Sequence, residues 1–277
     1  MPNESGLAAL RVPDGLPHLL RDLIHERTGL FFEDTRTDQL LEKLEPLARD
    51  RGCLSFLEYY YRLKDNELGE WERAWEVLSV PETYFWREFA QVKALTTAIV
   101  PDWFRHRSDP FRIWSAACAT GEEPFTIAIA LTEAGFGSHP IEIVGSDASP
   151  VALAKARSAQ YREKSFRTLP EALRQRYFER AGDEWRLDPA IVRRVRLERV
   201  NLLEPGEVAS MVRVQAIFCR NVFIYFSPHA IRQTVAIIAT RMPAGGCLFV
   251  GASESLLRMT TDFELKEIAG AMAYVRL

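Results

Sequence analysis

Residues that could bind a ligand follow three apolar runs of the chain. Gly121 closes the turn after FRIWSA, Asp147 ends IEIVGSD, and Asn221 comes shortly after QAIFC. In an open α/β sheet, ligands bind in the crevice at the carboxyl ends of the strands, where an acidic residue often holds ribose hydroxyls. The three positions therefore predict a nucleoside-binding crevice.

The turn after the first run favours one class of nucleoside. Glu122 and Glu123 directly follow Gly121 and would lie in the first turn of the next helix. Two carboxylates there would repel a pyrophosphate, and the turn lacks the GxGxxG pattern of dinucleotide sites. A cationic nucleoside such as S-adenosylmethionine fits better, because Glu123 can accept hydrogen bonds from its ammonium group. The alternative for either glutamate is a favourable charge placement on the helix dipole.

Four more polar residues could contribute to the same site. Asn201 and Asn221 end later strands, and their amides offer both donors and acceptors to an adenine edge or an amino-acid group. Thr83 and Arg87 lie four apart around a cluster of three aromatic residues. We expect this pair to reach into a site between two domains; the alternative is that the cluster is interdomain core.

Composition excludes several other classes of protein. The chain has 277 residues, 47% of them hydrophobic, and a net charge of -3, so nothing predicts binding to nucleic acid or to an anionic membrane. The 4 cysteines have no CxxC spacing, which predicts reduced thiols and no metal site. The first residues lack the basic start and long apolar core of a signal peptide, and no stretch approaches 18 uninterrupted apolar residues. We expect a cytoplasmic protein without membrane insertion, and a monomer by default.

The periodicity of apolar residues changes along the chain. Residues 1–76 show helical spacing and predict a small helical domain. Residues 77–277 alternate strands with helices, which predicts an α/β domain with a parallel sheet covered on both faces. Residues from about 160 to 199 form an insert with a helix and a β-hairpin around Gly182. The insert could dock a macromolecule or could be decoration.

Several of these motifs resemble one known family. SAACATGEEP, GSD, YREKSFRTLPEALRQRYFER, VNLL and IFCRNVFIYF are similar, in order and spacing, to the CheR family of chemotaxis receptor methyltransferases. LIHERTGLFFEDTRTDQL looks like the opening of that family. The resemblance implies a Rossmann-like class I methyltransferase sheet with a small all-helical N-terminal domain and a small antiparallel β insert. It also implies an S-adenosylmethionine-dependent protein-glutamate O-methyltransferase, with S-adenosylhomocysteine as product, that acts on cytoplasmic helices of chemoreceptors.

The resemblance also assigns roles to individual residues. Arg87 and Tyr225 would be catalytic, with Tyr225 beside the transferred methyl group. A glutamate carboxylate has a reference pKa near 4.3 and is already ionised at neutral pH, so its attack on a sulfonium methyl needs no general base. The implied cofactor contacts are Thr83, Arg87, Glu123, Asp147, Asn201, Leu202, Asn221 and Val222.

Three features depart from the family pattern. Pro81 stands where enteric members have an asparagine and cannot supply its side-chain contact. The second helix has mixed charges in place of a row of arginines, and Pro46 should end or kink it. The hairpin loop Ala181 to Trp185 looks shorter than in family members that bind a C-terminal receptor pentapeptide, and this comparison predicts a pentapeptide-independent enzyme.

Two other functions remain open. The chain could be a module that senses S-adenosylmethionine without catalysis, or a methyltransferase for another acceptor, such as a small molecule. Retention of Thr83, Arg87, Asp147, Asn221 and Tyr225 argues against a pure sensor. The separate helical domain and the insert favour a protein substrate.

Overall fold

The computed structural model describes residues 10–79 and 82–277. Contacts within the chain divide it into two compact units, Met1–Val80 and Pro81–Leu277. The first unit is built of helices, and the second contains both β-sheets.

The first unit is held together by apolar residues that recur at helical spacing. Leu20 and Ile24 of the first helix are fully buried, as are Leu40 and Leu44 of the second. Burying an aliphatic side chain of this size stabilises the fold by about 1.5–3 kcal/mol relative to leaving it exposed. The helices of this unit are α1 (Leu16–Thr28), α2 (Thr37–Asp50), α3 (Phe56–Lys64) and α4 (Glu70–Leu78).

Helix α2 corrects one expectation from the sequence. The helix does not end at Pro46 but continues to Asp50. Proline lacks the N–H group that would donate to the preceding turn, which disfavours helix at this point. However, Leu44, Leu47 and Ala48 on both sides of Pro46 are buried. Their burial favours continuation of the helix, so a helix end at Pro46 was the wrong prediction.

The second unit alternates helices and strands. A π-helical stretch, Leu95–Ile99, joins its first two helices. The helices are α5 (Ala90–Ala94), α6 (Val100–His106), α7 (Glu122–Glu133), α8 (Pro150–Ser158), α9 (Glu171–Tyr177), α10 (Pro189–Val192), α11 (Pro205–Met211) and α12 (Pro228–Arg241). The strands are β1 (Phe111–Ala116), β2 (Ile141–Asp147), β3 (Gln160–Tyr161), β4 (Phe178–Ala181), β5 (Glu184–Leu187), β6 (Val195–Arg199), β7 (Ala216–Cys219), β8 (Cys247–Phe249), β9 (Phe263–Ile268) and β10 (Ala271–Arg276).

The main sheet is seven-stranded with the order β6-β2-β1-β7-β8-β10-β9. Neighbouring strands from β6 to β8 pair in parallel, whereas β10 is antiparallel to both of its neighbours. The sheet is therefore mostly parallel rather than fully parallel. The strand order reverses at β1, since the chain runs outward to β2 and β6 on one side and to β7 and β8 on the other. Such a switch point opens a crevice at the carboxyl ends of the strands.

The sheet is covered on both faces. Successive residues of its central strands point to opposite sides, so each face packs in its own apolar cluster. Ile113 of β1 packs in one apolar cluster with Phe125 of α7. Its neighbour Trp114 packs in a second cluster with Val235 of α12. Strands buried on both faces read as continuous apolar runs, which is why these strands were visible in the sequence.

The insert forms a small antiparallel sheet with the order β3-β5-β4. This confirms the predicted antiparallel insert. Its predicted upper limit near residue 199 is wrong, because β6 pairs in parallel with β2 and belongs to the main sheet. Val195 and Leu197 pack against the same apolar cluster as α7, which draws this strand into the main sheet.

Candidate active site

The turn between β1 and α7 forms one wall of the crevice. Ala117, Ala119 and Gly121 all have positive φ angles, of 53°, 48° and 91°. Positive φ is uncommon for residues other than glycine. A Cβ atom on Gly121 would lie 2.9 Å from the Phe125 ring and 3.0 Å from the Ala156 Cβ, so a larger residue does not fit. Gly121 is therefore required for the backbone path of this turn.

Asp147 lies at the carboxyl end of β2, directly against this turn. Its Oδ2 accepts a hydrogen bond from the Ala119 N–H at 2.8 Å, and its Oδ1 accepts from the Ser149 N–H at 2.9 Å. Burial raises the pKa of the Asp147 carboxyl above its usual range, although these backbone donors oppose the shift. The side chain still has some exposed surface, so its oxygens retain acceptor capacity for a ligand.

Glu123, in the first turn of α7, is paired within the protein. Its Oε1 accepts from the Ser115 hydroxyl at 2.6 Å, and its Oε2 accepts from Arg220 Nε at 2.6 Å. The Arg220 side chain is 3% exposed and that of Glu123 is 14% exposed, so this ion pair is buried. Charge-assisted hydrogen bonds in such surroundings are among the stronger ones in proteins.

Arg220 also holds the segment that carries Thr83 and Arg87. Its guanidinium donates to the backbone carbonyls of Arg87 at 3.0 Å and Glu88 at 3.1 Å, and to Gln91 Oε1 at 3.0 Å. Arg220 follows β7 directly, so one side chain joins the end of β7, the first turn of α7 and the segment 87–91. Its position fixes the backbone of Arg87 relative to the sheet.

A second network surrounds Asn221. Its side-chain amide donates to Glu88 Oε1 at 3.2 Å, and its backbone N–H donates to Glu254 Oε2 at 2.9 Å. Glu88 Oε2 in turn accepts from the Ala252 N–H at 3.1 Å. Asn221 and Glu88 have positive φ angles of 58° and 47°. Non-glycine residues hold such conformations only where the surroundings fix them, and this happens often at functional sites.

The start of the insert docks on the same segment. The Phe85 N–H donates to the Ser165 carbonyl at 2.9 Å, and the Thr168 hydroxyl donates to the Phe85 carbonyl at 2.8 Å. The Ser165 hydroxyl donates to Glu122 Oε1 at 3.0 Å. Burial raises the pKa of the Glu122 carboxyl. Glu122 therefore links the turn after β1 to the insert.

The structure brings four of the expected site residues together at one edge of the sheet. Arg87, Glu123 and Asn221 are joined through Arg220 and Glu88. Asp147 is joined to the turn that precedes Glu123.

Asn201 and Leu202 follow β6 at the same edge. The Val200 N–H donates to the Asp147 carbonyl at 3.1 Å. Asn201 Oδ1 accepts from the Leu203 N–H at 3.1 Å, which shapes the local turn. The Leu202 side chain is buried in the second apolar cluster. The two residues thus lie beside the end of β2.

The remaining expected residues lie on loops, and two of them follow β7 at this edge. Tyr225 ends the short 3-10 turn Phe223–Tyr225 after β7, and Tyr225 and Val222 are both partly buried against the second apolar cluster. Thr83 is partly exposed, two residues before Phe85. Pro81, which departs from the family pattern, lies outside the described residues.

Sequence reasoning missed Arg220, Glu88 and Glu254. Arg220 had a visible signal, because it stands inside the apolar run IFCRNVFIYF. An arginine is almost never fully buried unless it is paired. The run therefore required an acidic partner, which the structure identifies as Glu123.

Replacing Arg220 tests the importance of the buried ion pair. We predict that Arg220→Met lowers the free energy of unfolding by about 3–5 kcal/mol, because the Glu123 charge stays buried without its partner. The matched control is Arg196→Met, because the Arg196 side chain is 68% exposed and pairs with Glu198 at 2.7 Å. An exposed pair contributes about 0–1 kcal/mol. Urea unfolding measures both, and equal losses for the two variants would contradict the prediction.

Comparison with known families gives two matches. Residues 81–271 match the CheR methyltransferase, SAM binding domain, and residues 18–79 match the CheR methyltransferase, all-alpha domain. None of the helices formed by the described residues combines the length and apolar character that crossing a membrane requires.

Curated relatives match over most of the chain. Chemotaxis protein methyltransferase 2 of Vibrio cholerae is 33% identical over 265 residues, which cover 92% of this chain and 91% of that protein. The chemotaxis protein methyltransferase of Escherichia coli is 31% identical and covers 89% of this chain and 86% of its own length. The probable biofilm formation methyltransferase WspC of Pseudomonas putida is 30% identical, covering 91% of this chain and 60% of that protein.

These matches confirm the predicted family, fold class and cofactor. The described crevice lies within the residues that match the cofactor-binding domain. The chain belongs to the CheR methyltransferase family and is an S-adenosylmethionine-dependent methyltransferase.

Proposed function

We propose that this protein methylates glutamate side chains on the cytoplasmic helices of chemoreceptors and forms glutamate methyl esters. It would act in the cytoplasm as a monomer. The observation that supports the proposal most directly is the junction of Arg87, Glu123 and Asn221 through Arg220 and Glu88, beside Asp147. Relatives that cover most of the chain carry the name chemotaxis protein methyltransferase.

The residues of the crevice suit the cofactor chemically. In the proposal, Asp147 accepts hydrogen bonds from ribose hydroxyls, and Glu123 faces the positive ammonium or sulfonium group. The other proposed contacts come from loops at the same sheet edge: Thr83, Arg87, Asn201, Leu202, Asn221 and Val222. S-adenosylmethionine supplies an electrophilic methyl group at this site.

The proposed reaction needs positioning rather than proton transfer. An acceptor glutamate is ionised at neutral pH, so it attacks without first losing a proton. Arg87 and Tyr225 would orient the acceptor carboxylate or the donor. The Arg87 guanidinium donates to the Glu82 carbonyl and lies 5.5 Å from the centre of the Tyr84 ring. Well-oriented reactants reach effective molarities of about 10⁵ M or more.

Methylation of a receptor in a signalling pathway other than chemotaxis is a second candidate function. The relative named as a probable biofilm formation methyltransferase matches 91% of this chain. This favours, as the alternative, methylation of a receptor in another signalling pathway. The chemistry proposed for the site is the same in both cases, so the two differ only in the receptor that is methylated.

Transfer of a labelled methyl group tests the proposed reaction. We expect label to move from S-adenosylmethionine to a chemoreceptor cytoplasmic fragment, and mild base to release it as methanol, because the product is an ester. Replacing the acceptor glutamates by alanine should abolish the label. Absence of transfer, together with measurable binding of S-adenosylhomocysteine, would instead favour a sensing module or another acceptor.

The same assay applies to the proposed catalytic residues. Arg87→Ala and Tyr225→Phe should each lower turnover at least about tenfold, because both remove a positioning contact. Arg105→Ala is the control, since Arg105 is exposed on α6 and pairs with Asp102. Unchanged rates for both site variants would refute these roles.

The raised pKa of Asp147 predicts a pH dependence of cofactor binding. The ionised carboxylate accepts hydrogen bonds and the protonated form loses part of this capacity. Affinity for S-adenosylhomocysteine should therefore be constant near neutral pH and fall as the pH drops through the Asp147 pKa, which burial places above the usual range. Calorimetry between about pH 7.5 and 5 measures this. Asp147→Asn should bind S-adenosylhomocysteine more weakly, and its affinity should no longer fall as the pH drops. An identical fall in affinity in both proteins would assign the titration to another group, such as Glu122.

The hairpin of the insert supports pentapeptide independence. Strand β4 ends at Ala181 and β5 begins at Glu184, and Gly182 has a φ of 66° in the tight turn between them. Such a short loop offers little surface to a peptide. We expect no tight binding of a C-terminal receptor pentapeptide in calorimetry, and methylation of a receptor fragment that lacks it. Tight binding of the peptide would overturn this proposal.

A further inference from the structure

Arg167 lies where the insert meets the segment Glu82 to Arg87. Two hydrogen bonds anchor its neighbours to Phe85, from the Phe85 N–H to the Ser165 carbonyl and from the Thr168 hydroxyl to the Phe85 carbonyl. Arg167 stands between these anchored residues, so its backbone is fixed beside Phe85.

Arg167 and Arg87 share one aromatic ring. The guanidinium carbon of Arg167 lies 3.7 Å from the centre of the Tyr84 ring, and that of Arg87 lies 5.5 Å from it. Cations at this distance are attracted to the ring quadrupole. Both guanidinium groups thus lie around a single tyrosine ring.

The only acidic side chain that pairs with Arg167 among the described residues is Glu82. Arg167 Nη2 donates to Glu82 Oε1 at 2.8 Å, whereas Arg87 uses the Glu82 backbone carbonyl. A guanidinium carries five N–H donors, so this contact leaves most of those on Arg167 available. The side chain of Arg167 is 48% exposed.

Arg174, from the same insert, shows the contrasting case of a structural arginine. Its guanidinium lies 4.7 Å from the centre of the Phe166 ring and 4.0 Å from that of Trp185. It also donates to both carboxylate oxygens of Glu163, at 2.7 and 2.5 Å. The side chain of Arg174 is 12% exposed and is enclosed by these groups of the insert, whereas that of Arg167 is 48% exposed and accessible to a ligand.

We propose that Arg167 is a specificity-determining residue that binds a second acidic side chain of the protein substrate, close to the glutamate that accepts the methyl group. The assignment rests on the function proposed above. Residues three or four apart on a helix have Cβ atoms about 5–6 Å apart. Two carboxylates on one helix face would give each of the two guanidinium groups around the ring a carboxylate partner. The substrate class is an acidic helix with a carboxylate beside the acceptor.

Steady-state methylation of a chemoreceptor cytoplasmic fragment tests this role. Arg167→Gln should raise KM for the fragment roughly 3- to 10-fold, with kcat changed by less than about twofold, because a binding contact is lost and the chemistry is kept. The affinity for S-adenosylhomocysteine should not change. The control is Arg112→Gln: Arg112 is also 48% exposed and pairs with Glu142 at 3.0 Å, but lies near the start of β1, away from the crevice.

A variant of the receptor fragment tests whether Arg167 contacts the second carboxylate directly. Changing the carboxylate three or four residues from the acceptor to glutamine should raise KM of the unmodified enzyme by a similar factor. The same change should add little to Arg167→Gln, because the two changes remove one interaction. Additive effects would contradict a direct contact.

Glu82→Gln distinguishes substrate binding by Arg167 from a purely structural contact of Arg167 with the segment Glu82 to Arg87. If Arg167 only held the segment through Glu82, Glu82→Gln would reproduce the kinetic loss of Arg167→Gln. If Arg167 binds substrate, Glu82→Gln should leave KM unchanged or lower it, because a competing carboxylate is removed.

The outcomes distinguish this assignment from the function on which it rests. Methylation by the unmodified enzyme, with Arg167→Gln indistinguishable from Arg112→Gln, would overturn the role of Arg167 alone. Absence of methylation by the unmodified enzyme would contradict the proposed function, and the role of Arg167 with it.

Discussion

The arrangement of the crevice depends on one buried ion pair. Arg220 leaves the end of β7 and joins Glu123 in α7, and its remaining donors hold the carbonyls of Arg87 and Glu88. A buried guanidinium requires all of these acceptors, because an unpaired charge in the interior is costly. The pair therefore does more than link two side chains. It places a loop without regular structure against the sheet edge, at the position where the proposed chemistry needs a fixed arginine.

Backbone strain accompanies this arrangement. Ala117, Ala119, Glu88 and Asn221 all have positive φ angles and all line the same sheet edge. Each such conformation costs on the order of 1–3 kcal/mol. The hydrogen bonds that Asn221 donates to the Glu88 and Glu254 carboxylates offset part of this cost and hold the Asn221 turn in place. A rigid edge of this kind suits a reaction in which orientation, and not proton transfer, limits the rate.

Much of this architecture could be predicted from the sequence because it depends on apolar periodicity. The strands around Ile113 and Phe218 read as continuous apolar runs, and the polar residues that follow them had to meet at one edge. Other features depend on tertiary contacts and could not be derived in this way. The burial of Leu44 and Leu47 carries α2 through Pro46, and pairing with β2 draws β6 into the main sheet.

The partner of Arg220 belongs to the same class of features. An arginine within an apolar run required an acidic partner, but the sequence alone could not distinguish Glu123 from Glu122. In the folded chain Glu123 pairs with Arg220, and Glu122 accepts a hydrogen bond from Ser165 of the insert. The two adjacent glutamates of α7 thus make different contacts. One links the helix to β7, and the other links it to the insert.

The insert is best understood as part of the active-site wall. Its first turn is bonded to Phe85 through Ser165 and Thr168, and to the turn after β1 through Glu122. A decorative appendage would not need contacts to both of these segments. Because the contacts lie on either side of Arg167, the insert presents that residue at a fixed place beside Phe85. The methyltransferase sheet supplies the cofactor crevice, and in the proposed function the insert adds positive charge where an acidic protein substrate would approach.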